Sequence, residues 1–267
     1  MNPYFVKPKS QFLLSRFDPE DRTHFKGDKE KGLDRFNKLR IQLIELQNLF
    51  YVDGRYPLLI VFQAMDTAGK DSVIRNVFEG VNPQGVRVAS FKKPTDEELS
   101  HDYLWRIHQE LPEKGKIVIF NRSHYEDVLV PRVHRLVPPA LIESRYDHIV
   151  QFERMLVEEG MVILKFYLYI SKDEQKKRLQ ERVDDPQKRW KFNPADLNER
   201  KRWSEYIKAY EALISKTSRS YAPWYVIPAN DKWYRNLVVA EIIVERLKQM
   251  NLKYPVPDWD PKKVKII

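Results

Sequence analysis

The chain contains no cysteine among its 267 residues. This absence excludes disulfide bonds, a thiolate metal site and a cysteine nucleophile. A cysteine-free sequence suits a reducing compartment, and we expect the protein to work in the cytoplasm.

Long apolar runs are also missing. Residues 1–10 have no apolar stretch of the kind that a secretory signal needs, and no later stretch approaches the roughly 20 apolar residues that span a bilayer. The sequence shows no repeat of solenoid period and no low-complexity tract. We therefore expect a soluble protein that has no membrane partner.

Positively charged residues outnumber negatively charged ones. The chain carries 47 Lys and Arg residues against 38 Asp and Glu residues, a formal net charge of +9. Such an excess predicts attraction to polyanions, although net charge alone does not distinguish nucleic acid, anionic lipid and polyphosphate. The length is that of one main domain over residues 1–267.

Five short apolar runs, separated by helical segments, predict buried strands. Strands that alternate with helices favour a parallel sheet covered on both faces, because parallel neighbours need crossover connections. We expect an α/β fold: a three-layer α/β/α sandwich with a five-stranded parallel sheet. The runs are 58–62, 86–91, 117–120, 162–170 and 224–227.

Apolar residues at helical spacing predict a long amphipathic helix over residues 28–53, after an N-terminal arm formed by residues 1–27. The same spacing predicts helices over 199–216 and 232–250. The segment from about 182 to 202 is polar and basic and has no apolar stripe, which predicts a mobile helical lid.

A helix is also expected directly after the fourth strand. Ser171 and Glu174 have the spacing of a capping box, in which each side chain satisfies a backbone N–H group of the first turn. This helix would leave the sheet at its carboxyl edge.

The loop after the first strand has the pattern of a phosphate-binding loop. Residues 58–72 read LLIVFQAMDTAGKDS, an apolar strand, a loop of small residues and the start of a helix. Backbone N–H groups in such a loop and the positive end of the helix bind anions, and a lysine reaches a phosphate oxygen. The candidate phosphate ligands are Ala68, Gly69, Lys70, Asp71 and Ser72.

This loop departs from the pattern G-x-x-x-x-G-K-[ST] at two positions, Ala64 and Asp71. Because Asp71 replaces a hydroxyl that would bind metal, magnesium needs another ligand, and Asp66 offers a carboxylate inside the loop. The alternative interpretation is a tight strand-to-helix turn with a solvated lysine.

A second polar motif, Asn121 to Val130, follows the third predicted strand. Ligands of open α/β sheets bind outside the carboxyl ends of strands, where neighbouring loops diverge. If the third strand pairs with the first, we expect Arg122 and Asp127 to face the phosphate loop. The alternatives are that Asp127 caps a helix and that Arg122 pairs with Glu126.

At these motifs the sequence resembles the second polyphosphate kinase family, and in particular its class III members, which phosphorylate nucleoside monophosphates and diphosphates. The resemblance covers most of the chain. It rests on residues 64–71, on Lys92 to Pro94, on residues 121–130 and on the basic segment after the fourth strand.

The resemblance implies a thymidylate-kinase-like P-loop fold with magnesium, or manganese in its place, near Asp66 and Asp127. It further implies direct phosphoryl transfer between inorganic polyphosphate and AMP, ADP or ATP, by a homo-oligomer. Members of the family outside class III usually carry Asp where this chain has Asn121. Since an amide is a weaker magnesium ligand than a carboxylate, this departure places more weight on Asp127.

Phosphoryl transfer requires in-line positioning and charge neutralisation rather than a protein nucleophile. We predict that Lys70 and Arg122 hold the transferring phosphoryl group, and that Arg178 and Arg182, four residues apart on one helix, close from the lid side. Polyphosphate contacts are predicted at Lys92, Lys93, Lys188 and Arg189. Nucleotide contacts are predicted at Asn121 and Glu126.

Two other functions remain open from the sequence. An ATP-dependent nucleoside or nucleotide kinase would share the loop, the metal and the lid. A non-catalytic nucleic-acid-binding module would use the basic face, although no RNA-binding or helix-turn-helix pattern is present and the carboxylates would be unexplained.

Overall fold

The structure is a computed structural model that describes residues 2–265. Five strands form one parallel sheet in the order β2-β3-β1-β4-β5. Each predicted strand is present, with ends that differ by no more than two residues. The strands are β1 Leu58–Ala64, β2 Val86–Ser90, β3 Ile117–Asn121, β4 Val162–Tyr169 and β5 Trp224–Pro228.

Strand β1 lies at the centre of the sheet. Leu58 pairs with Ile117 of β3 on one side and with Val162 of β4 on the other. All seven residues of β1 are buried, as expected for a central strand covered on both faces.

Helices cover both faces, so the predicted three-layer α/β/α sandwich is confirmed. Helices α1, α2 and α10 pack on one face, and α5, α6 and α9 pack on the other. The helices of the described chain are α1 Lys29–Asp53, α2 Lys70–Val77, α3 Asp96–Leu99, α4 Trp105–Gln109, α5 Glu126–Val133, α6 Pro139–Glu158, α7 Lys172–Asp184, α8 Ala195–Lys201, α9 Trp203–Thr217 and α10 Lys232–Gln249.

The boundaries of α1 follow from its end residues. The Asp28 side chain accepts a hydrogen bond from the Lys31 backbone N–H at the N-terminus, and Gly54 adopts the left-handed conformation with φ 66° at the C-terminus. The helix packs along α10 over much of its length.

Two helical predictions differ from the structure. The helix predicted over 199–216 is divided into α8 and α9, because Arg202 has non-helical backbone angles between them. At the start of α7, Ser171 accepts from the Glu174 N–H as predicted. The other half of the capping box is absent, since the Glu174 carboxylate accepts from the Arg178 Nε at 2.7 Å instead.

The N-terminal arm packs into the protein. Tyr4 and Val6 are each 3% exposed, and their backbones exchange hydrogen bonds with β5 through Trp224 and Val226. The arm therefore covers the outer edge of the sheet at β5.

Across residues 2–265, no helix combines the length and the apolar character needed to cross a membrane.

Candidate active site

The loop between β1 and α2, residues 64–72, is here called the phosphate loop. Its turn requires two left-handed residues, Thr67 with φ 67° and Gly69 with φ 97°. Glycine adopts this conformation without steric cost, whereas threonine does so only under local constraint. Gly69 is also the N-cap residue of α2.

Every backbone carbonyl group from Ala64 to Gly69 accepts a hydrogen bond from a donor of the protein. The acceptors and donors are Ala64 with Lys70 Nζ at 3.1 Å, Met65 with the Ala68 N–H at 3.2 Å, Asp66 with Gln175 Nε2 at 3.1 Å, Thr67 with Arg178 Nη1 at 3.1 Å, Ala68 with Arg178 Nη1 at 3.1 Å and Arg235 Nη1 at 3.0 Å, and Gly69 with the Val73 N–H at 2.9 Å. The carbonyl groups of the loop are thus turned toward the protein.

The backbone N–H groups show the opposite pattern. In the part of the chain that the structure describes, the N–H groups of Thr67 and of residues 69–72 donate to no protein acceptor. Unpaired donors at the start of a helix form a binding site for an anion. The segregation of acceptors from donors leaves a cradle of unpaired N–H groups in this loop.

Lys70 is half-buried beside this cradle. Burial lowers the pKa of its ammonium group, and the Arg122 charge lowers it further, whereas Asp66, Glu126 and Asp71 oppose the shift. The ammonium group lies among charges of both signs, and it can donate to a phosphate oxygen as an additional partner.

Arg122 directly follows β3 and reaches across to the phosphate loop. Its Nη2 donates to Asp66 Oδ1 at 3.0 Å, and its backbone N–H donates to the Phe62 carbonyl of β1 at 3.1 Å. The backbone of Arg122 is left-handed, with φ 64°, an unfavourable conformation for a long side chain that is typical of functional sites. The neighbouring Asn121 Nδ2 donates to Asp71 Oδ1 at 2.6 Å, which makes a second link.

Glu126 begins α5 within the same group of charges. Burial raises the pKa of its carboxyl group, while Arg122 and Lys70 lower it and Asp66 and Asp127 raise it further. The loops after β1 and β3 therefore converge at the carboxyl edge of the sheet, as predicted from the two motifs.

Asp127 follows Glu126 in the first turn of α5 and has arginine partners of its own. Its Oδ2 accepts from Arg106 Nη2 at 3.3 Å, and its backbone carbonyl accepts from Arg145 Nη1 at 2.7 Å. Burial raises the pKa of Asp127 despite both arginines. The alternative in which Asp127 caps a helix is wrong, because the N-cap residue of α5 is Tyr125 and no side chain caps this helix.

Arg106 was not indicated by the sequence motifs. It is 6% exposed and also donates to the Lys92 carbonyl at 3.0 Å, so that it connects the end of β2 to Asp127. Lys92 and Lys93 are exposed at this end. The side chains of this pair are accessible to a polyanion that approaches the edge of the sheet.

The other predicted polyphosphate contacts lie on the segment between α7 and α8. Lys188 is exposed and pairs with Asp185 at 2.9 Å, and the exposed Arg189 donates to the Val183 carbonyl at 2.9 Å. No hydrogen bond or ion pair joins either described side chain to the phosphate loop.

The structure separates the two arginines of α7. Arg178 is 5% exposed and lies beneath the phosphate loop, where it donates to Thr67 and Ala68 and to two carbonyl groups that follow β5. Arg182 lies farther out, with Nη1 3.0 Å from the Lys191 carbonyl and 3.6 Å from Asp196. Of the two, Arg182 alone contacts the segment predicted to be a lid.

A second arginine beneath the loop, Arg235 of α10, was missed by sequence reasoning. It is fully buried and donates to the Ala68 carbonyl and to Ser72 Oγ at 3.2 Å. The available signal was an arginine shortly before the apolar residues 237–240 of α10.

A buried ion pair lies behind the second motif. Lys165 of β4 donates to Glu153 at 2.5 Å, to the Tyr125 hydroxyl at 2.9 Å and to the Thr217 carbonyl at 3.0 Å. Burial opposes ionisation of Glu153, but Lys165 and His124 together hold the pKa of Glu153 below its usual range. We call these four residues the lysine network. His124, to which the sequence assigns no catalytic role, is also buried there, with Nε2 3.5 Å from Glu153.

A cavity of about 210 Å³ opens beside this site, between α5 and α9. Its lining includes Asp66, Arg122, Glu126, Tyr206 and Tyr210. A larger cavity of about 440 Å³, lined by residues such as Val157 and Arg246, contains none of the predicted site residues. The smaller cavity is therefore the one of the two that predicted site residues line.

Comparison with known proteins identifies the family. The model named Polyphosphate kinase 2 (PPK2) matches residues 26–255. The chain belongs to the polyphosphate kinase 2 family. The match includes both motifs and every predicted site residue.

Relatives of this polyphosphate kinase 2 chain match most or all of its length. It is 56% identical over 266 residues to the AMP/ADP-polyphosphate phosphotransferase of Meiothermus ruber, with 100% of both chains covered. It is 46% identical over 230 residues to the ADP-polyphosphate phosphotransferase of Rhodopseudomonas palustris, and this match covers 80% of this chain and 78% of the relative.

A solved structure supports the fold. The crystal structure of polyphosphate kinase 2 from Arthrobacter aurescens has a TM-score of 0.92 and 42% identity, and the match covers 97% of this chain and 95% of the other. The P-loop kinase architecture predicted from the motifs is thereby confirmed.

Proposed function

We propose that the protein transfers the terminal phosphoryl group of inorganic polyphosphate to AMP and to ADP, and catalyses the reverse reaction. Membership of the polyphosphate kinase 2 family and the name of the Meiothermus ruber relative support this activity. The near-complete coverage of both chains supports the same range of nucleotide acceptors.

One observation carries the proposal: the Arg122–Asp66 contact joins the second motif to the phosphate loop beside Lys70. This contact brings a guanidinium, an ammonium and a cradle of N–H groups to one edge of the sheet. A cluster of this composition is suited to stabilise the three equatorial oxygens of a transferring phosphoryl group.

The chemistry needs no protein nucleophile. An oxygen of the nucleotide phosphate attacks the terminal phosphorus of polyphosphate, a new P–O bond forms, and the bond to the rest of the chain breaks. The products are a polyphosphate shorter by one phosphate and a nucleotide longer by one. In this scheme Lys70 and Arg122 hold the transferring group, and the cradle of residues 69–72 holds the phosphate beside it.

The residues present fit a divalent cation only together with substrate. Within residues 2–265, no three Asp, Glu, His or Cys side chains converge to hold a metal ion. Magnesium commonly binds one or two carboxylates and completes its coordination with water and phosphate oxygens. We therefore assign Asp66 and Asp127 as its protein ligands, with manganese as a substitute, and the ion would neutralise charge on the phosphates.

Polyphosphate and nucleotide are assigned to different parts of the site. The exposed Lys92 and Lys93 offer flexible ammonium groups to the long polyanion, and the lid segment with Arg182, Lys188 and Arg189 covers the site from the other side. Asn121 and Glu126 are assigned to the nucleotide, because Glu126 lines the adjoining cavity.

A donor assay tests the activity. Purified protein with magnesium and long-chain polyphosphate is expected to convert AMP to ADP and ADP to ATP, as measured by chromatography of the nucleotides. Lys70→Met is expected to lower the rate by about 10²-fold or more, because it removes a charge partner of the transition state.

Two results would decide against the proposal. Failure of both conversions alongside good ATP-dependent phosphorylation of a nucleoside or nucleotide would assign the protein to ordinary nucleotide kinases. A Lys70→Met variant with the wild-type rate would remove the phosphate loop from the reaction.

A further inference from the structure

Two arginines from different helices meet beneath the phosphate loop. Arg178 of α7 donates to the Thr67 and Ala68 carbonyl groups at 3.1 Å, and Arg235 of α10 donates to the Ala68 carbonyl at 3.0 Å. Both side chains are shielded from solvent, with exposures of 5% and 0%. The underside of the loop is therefore held by two buried guanidinium groups.

The charges of these two arginines are balanced differently. Arg178 donates to the Glu174 carboxylate at 2.7 Å. Among residues 2–265, no carboxylate forms an ion pair with Arg235, and the partners of its guanidinium are the Ala68 carbonyl, Ser72 Oγ and Asn236 Oδ1. Arg235 is thus a fully buried positive charge with neutral partners.

A buried charge that lacks a counter-ion is energetically unfavourable. Burial lowers the pKa of Arg235 to about 9, and the charge of Arg178 acts in the same direction. The guanidinium is nevertheless protonated at neutral pH, so its charge is present while the protein works. An anion nearby would offset the cost of burying it.

Arg235 touches the loop whose unpaired N–H groups are suited to bind such an anion. A Cβ atom built on Gly69 would lie 2.3 Å from Arg235 Nη1, so the guanidinium is in direct contact with the loop backbone. The N–H groups of residues 69–72 donate to no acceptor of the described chain. The positive charge therefore touches the same loop that carries these unpaired donors.

We propose that Arg235, together with Arg178, is a positioning residue of the phosphate loop. The two guanidinium groups turn the loop carbonyls away from the substrate, and the unbalanced charge of Arg235 strengthens the binding of polyphosphate at the N–H groups above it. The inference rests on the proposed function, because it names polyphosphate as the anion. Arg235 acts through the loop and does not touch the reacting atoms.

Kinetic constants of three variants test this role. Arg235→Gln removes the charge and keeps a hydrogen-bond donor, whereas Arg235→Lys keeps the charge and loses the planar fork. Arg246→Gln, three turns farther along α10, is the matched control and should behave as wild type. For each variant, KM and kcat are measured for long-chain polyphosphate at saturating ADP and for ADP at saturating polyphosphate.

We expect Arg235→Gln to raise the KM for polyphosphate about tenfold, which corresponds to about 1.4 kcal/mol, and to leave the KM for ADP within twofold of wild type. Arg235→Lys should recover most of the affinity. A purely structural role would raise both KM values together or lower only the melting temperature. Equal changes in both constants, or no change in either, would overturn the inference.

A second variant keeps the test decisive if Arg235→Gln does not fold. Asn236→Ala removes the side-chain oxygen that orients Arg235, at 2.8 and 3.2 Å, without altering the loop or the charge. It should raise the KM for polyphosphate a few-fold and leave that for ADP unchanged. A polyphosphate KM equal to that of wild type in a folded Asn236→Ala protein would count against the role of Arg235.

Calorimetry separates this inference from the proposed function. Inorganic tripolyphosphate is titrated into wild type and into Arg235→Gln, or into Asn236→Ala if the former is not folded. Weaker binding by the variant supports the charge effect even if wild type phosphorylates nucleotides from ATP alone. Equal binding contradicts it even if wild type uses polyphosphate.

Discussion

The two loops that form the site rest on buried cations of different kinds. Beneath the phosphate loop, Arg235 donates to neutral groups and forms no ion pair with any described carboxylate. Behind the second motif, Lys165 is just as buried but contacts Glu153 at 2.5 Å, with exposures of 0% and 1%. One cation lacks a counter-ion and the other has one.

This difference implies different roles: Arg235 supports ligand binding, whereas the lysine network supports the folded structure. A buried ion pair whose remaining partners are satisfied adds little field outside itself, so the lysine network holds Tyr125 and with it the second motif. An unpaired buried cation leaves its field to act on whatever lies nearby, which here is the phosphate cradle. The comparison therefore predicts loss of stability at one site and loss of affinity at the other.

The largest expected effect is on stability, at Lys165. Lys165→Met leaves Glu153 buried without its cation, and breaking a buried pair in this way costs about 3–5 kcal/mol of the free energy of unfolding. Urea denaturation measures the loss. Arg235→Gln should cost much less in the same experiment, because the charge that it removes has no ionic partner to leave behind.

A double variant provides the control. Lys165→Met combined with Glu153→Leu removes both charges and should regain more than half of the lost stability. If Arg235→Gln proved more destabilising than Lys165→Met, the distinction between the two supports would fail.

The next largest effect is expected on turnover, at Asp127. Its carboxylate pairs with Arg106 and is the proposed metal ligand of the second motif. Asp127→Asn should lower kcat by about 10²–10³-fold, with a small change in the urea midpoint. Glu98→Gln is the control, because Glu98 is the other acid that contacts Arg106, at 3.4 Å. A partly exposed ion pair contributes little, so this variant should change kcat by less than about threefold. A wild-type rate in Asp127→Asn at ordinary magnesium would remove Asp127 from the metal site.

Most of the fold could be predicted because local pattern and tertiary structure agree. Central strands such as β1 are buried on both faces and therefore appear as continuous apolar runs. Gln63, which is polar but fully buried, explains why the prediction ended β1 two residues early. The arm has no sustained period, and its packing against β5 depends on contacts more than 200 residues away in sequence.

The site was predictable where it consists of neighbours in sequence. Lys70 and Arg122 lie within motifs, and the pairing of β1 with β3 brings those motifs together. The role of Arg235 and the position of Arg178 at the loop backbone could not be predicted, because both side chains donate to backbone carbonyl groups, which every residue possesses. Lys165 gave a signal as a lysine within an apolar strand, but its partner Glu153 lies on another element.

The smallest expected effect is on the pH dependence of stability, at Glu126 of the second motif. Burial raises the pKa of Glu126 above its ordinary value of 4.5, and Asp66 and Asp127 add to the shift against Arg122 and Lys70. The folded protein therefore binds more protons than the unfolded chain at mildly acidic pH, and the contribution of Glu126 to stability falls as pH rises through its folded pKa.

Glu126→Gln removes this penalty, so the variant should melt at a slightly higher temperature than wild type at pH 7. The advantage should shrink as pH falls from the raised pKa of Glu126 toward 4.5, because wild-type Glu126 becomes neutral over that window. Melting curves of both proteins between about pH 4.5 and 8 measure the difference. If the difference in melting temperature stayed constant over the whole pH range, burial would not penalise the charge of Glu126. Its neighbouring cations would then balance that charge, as Lys165 balances the charge of Glu153.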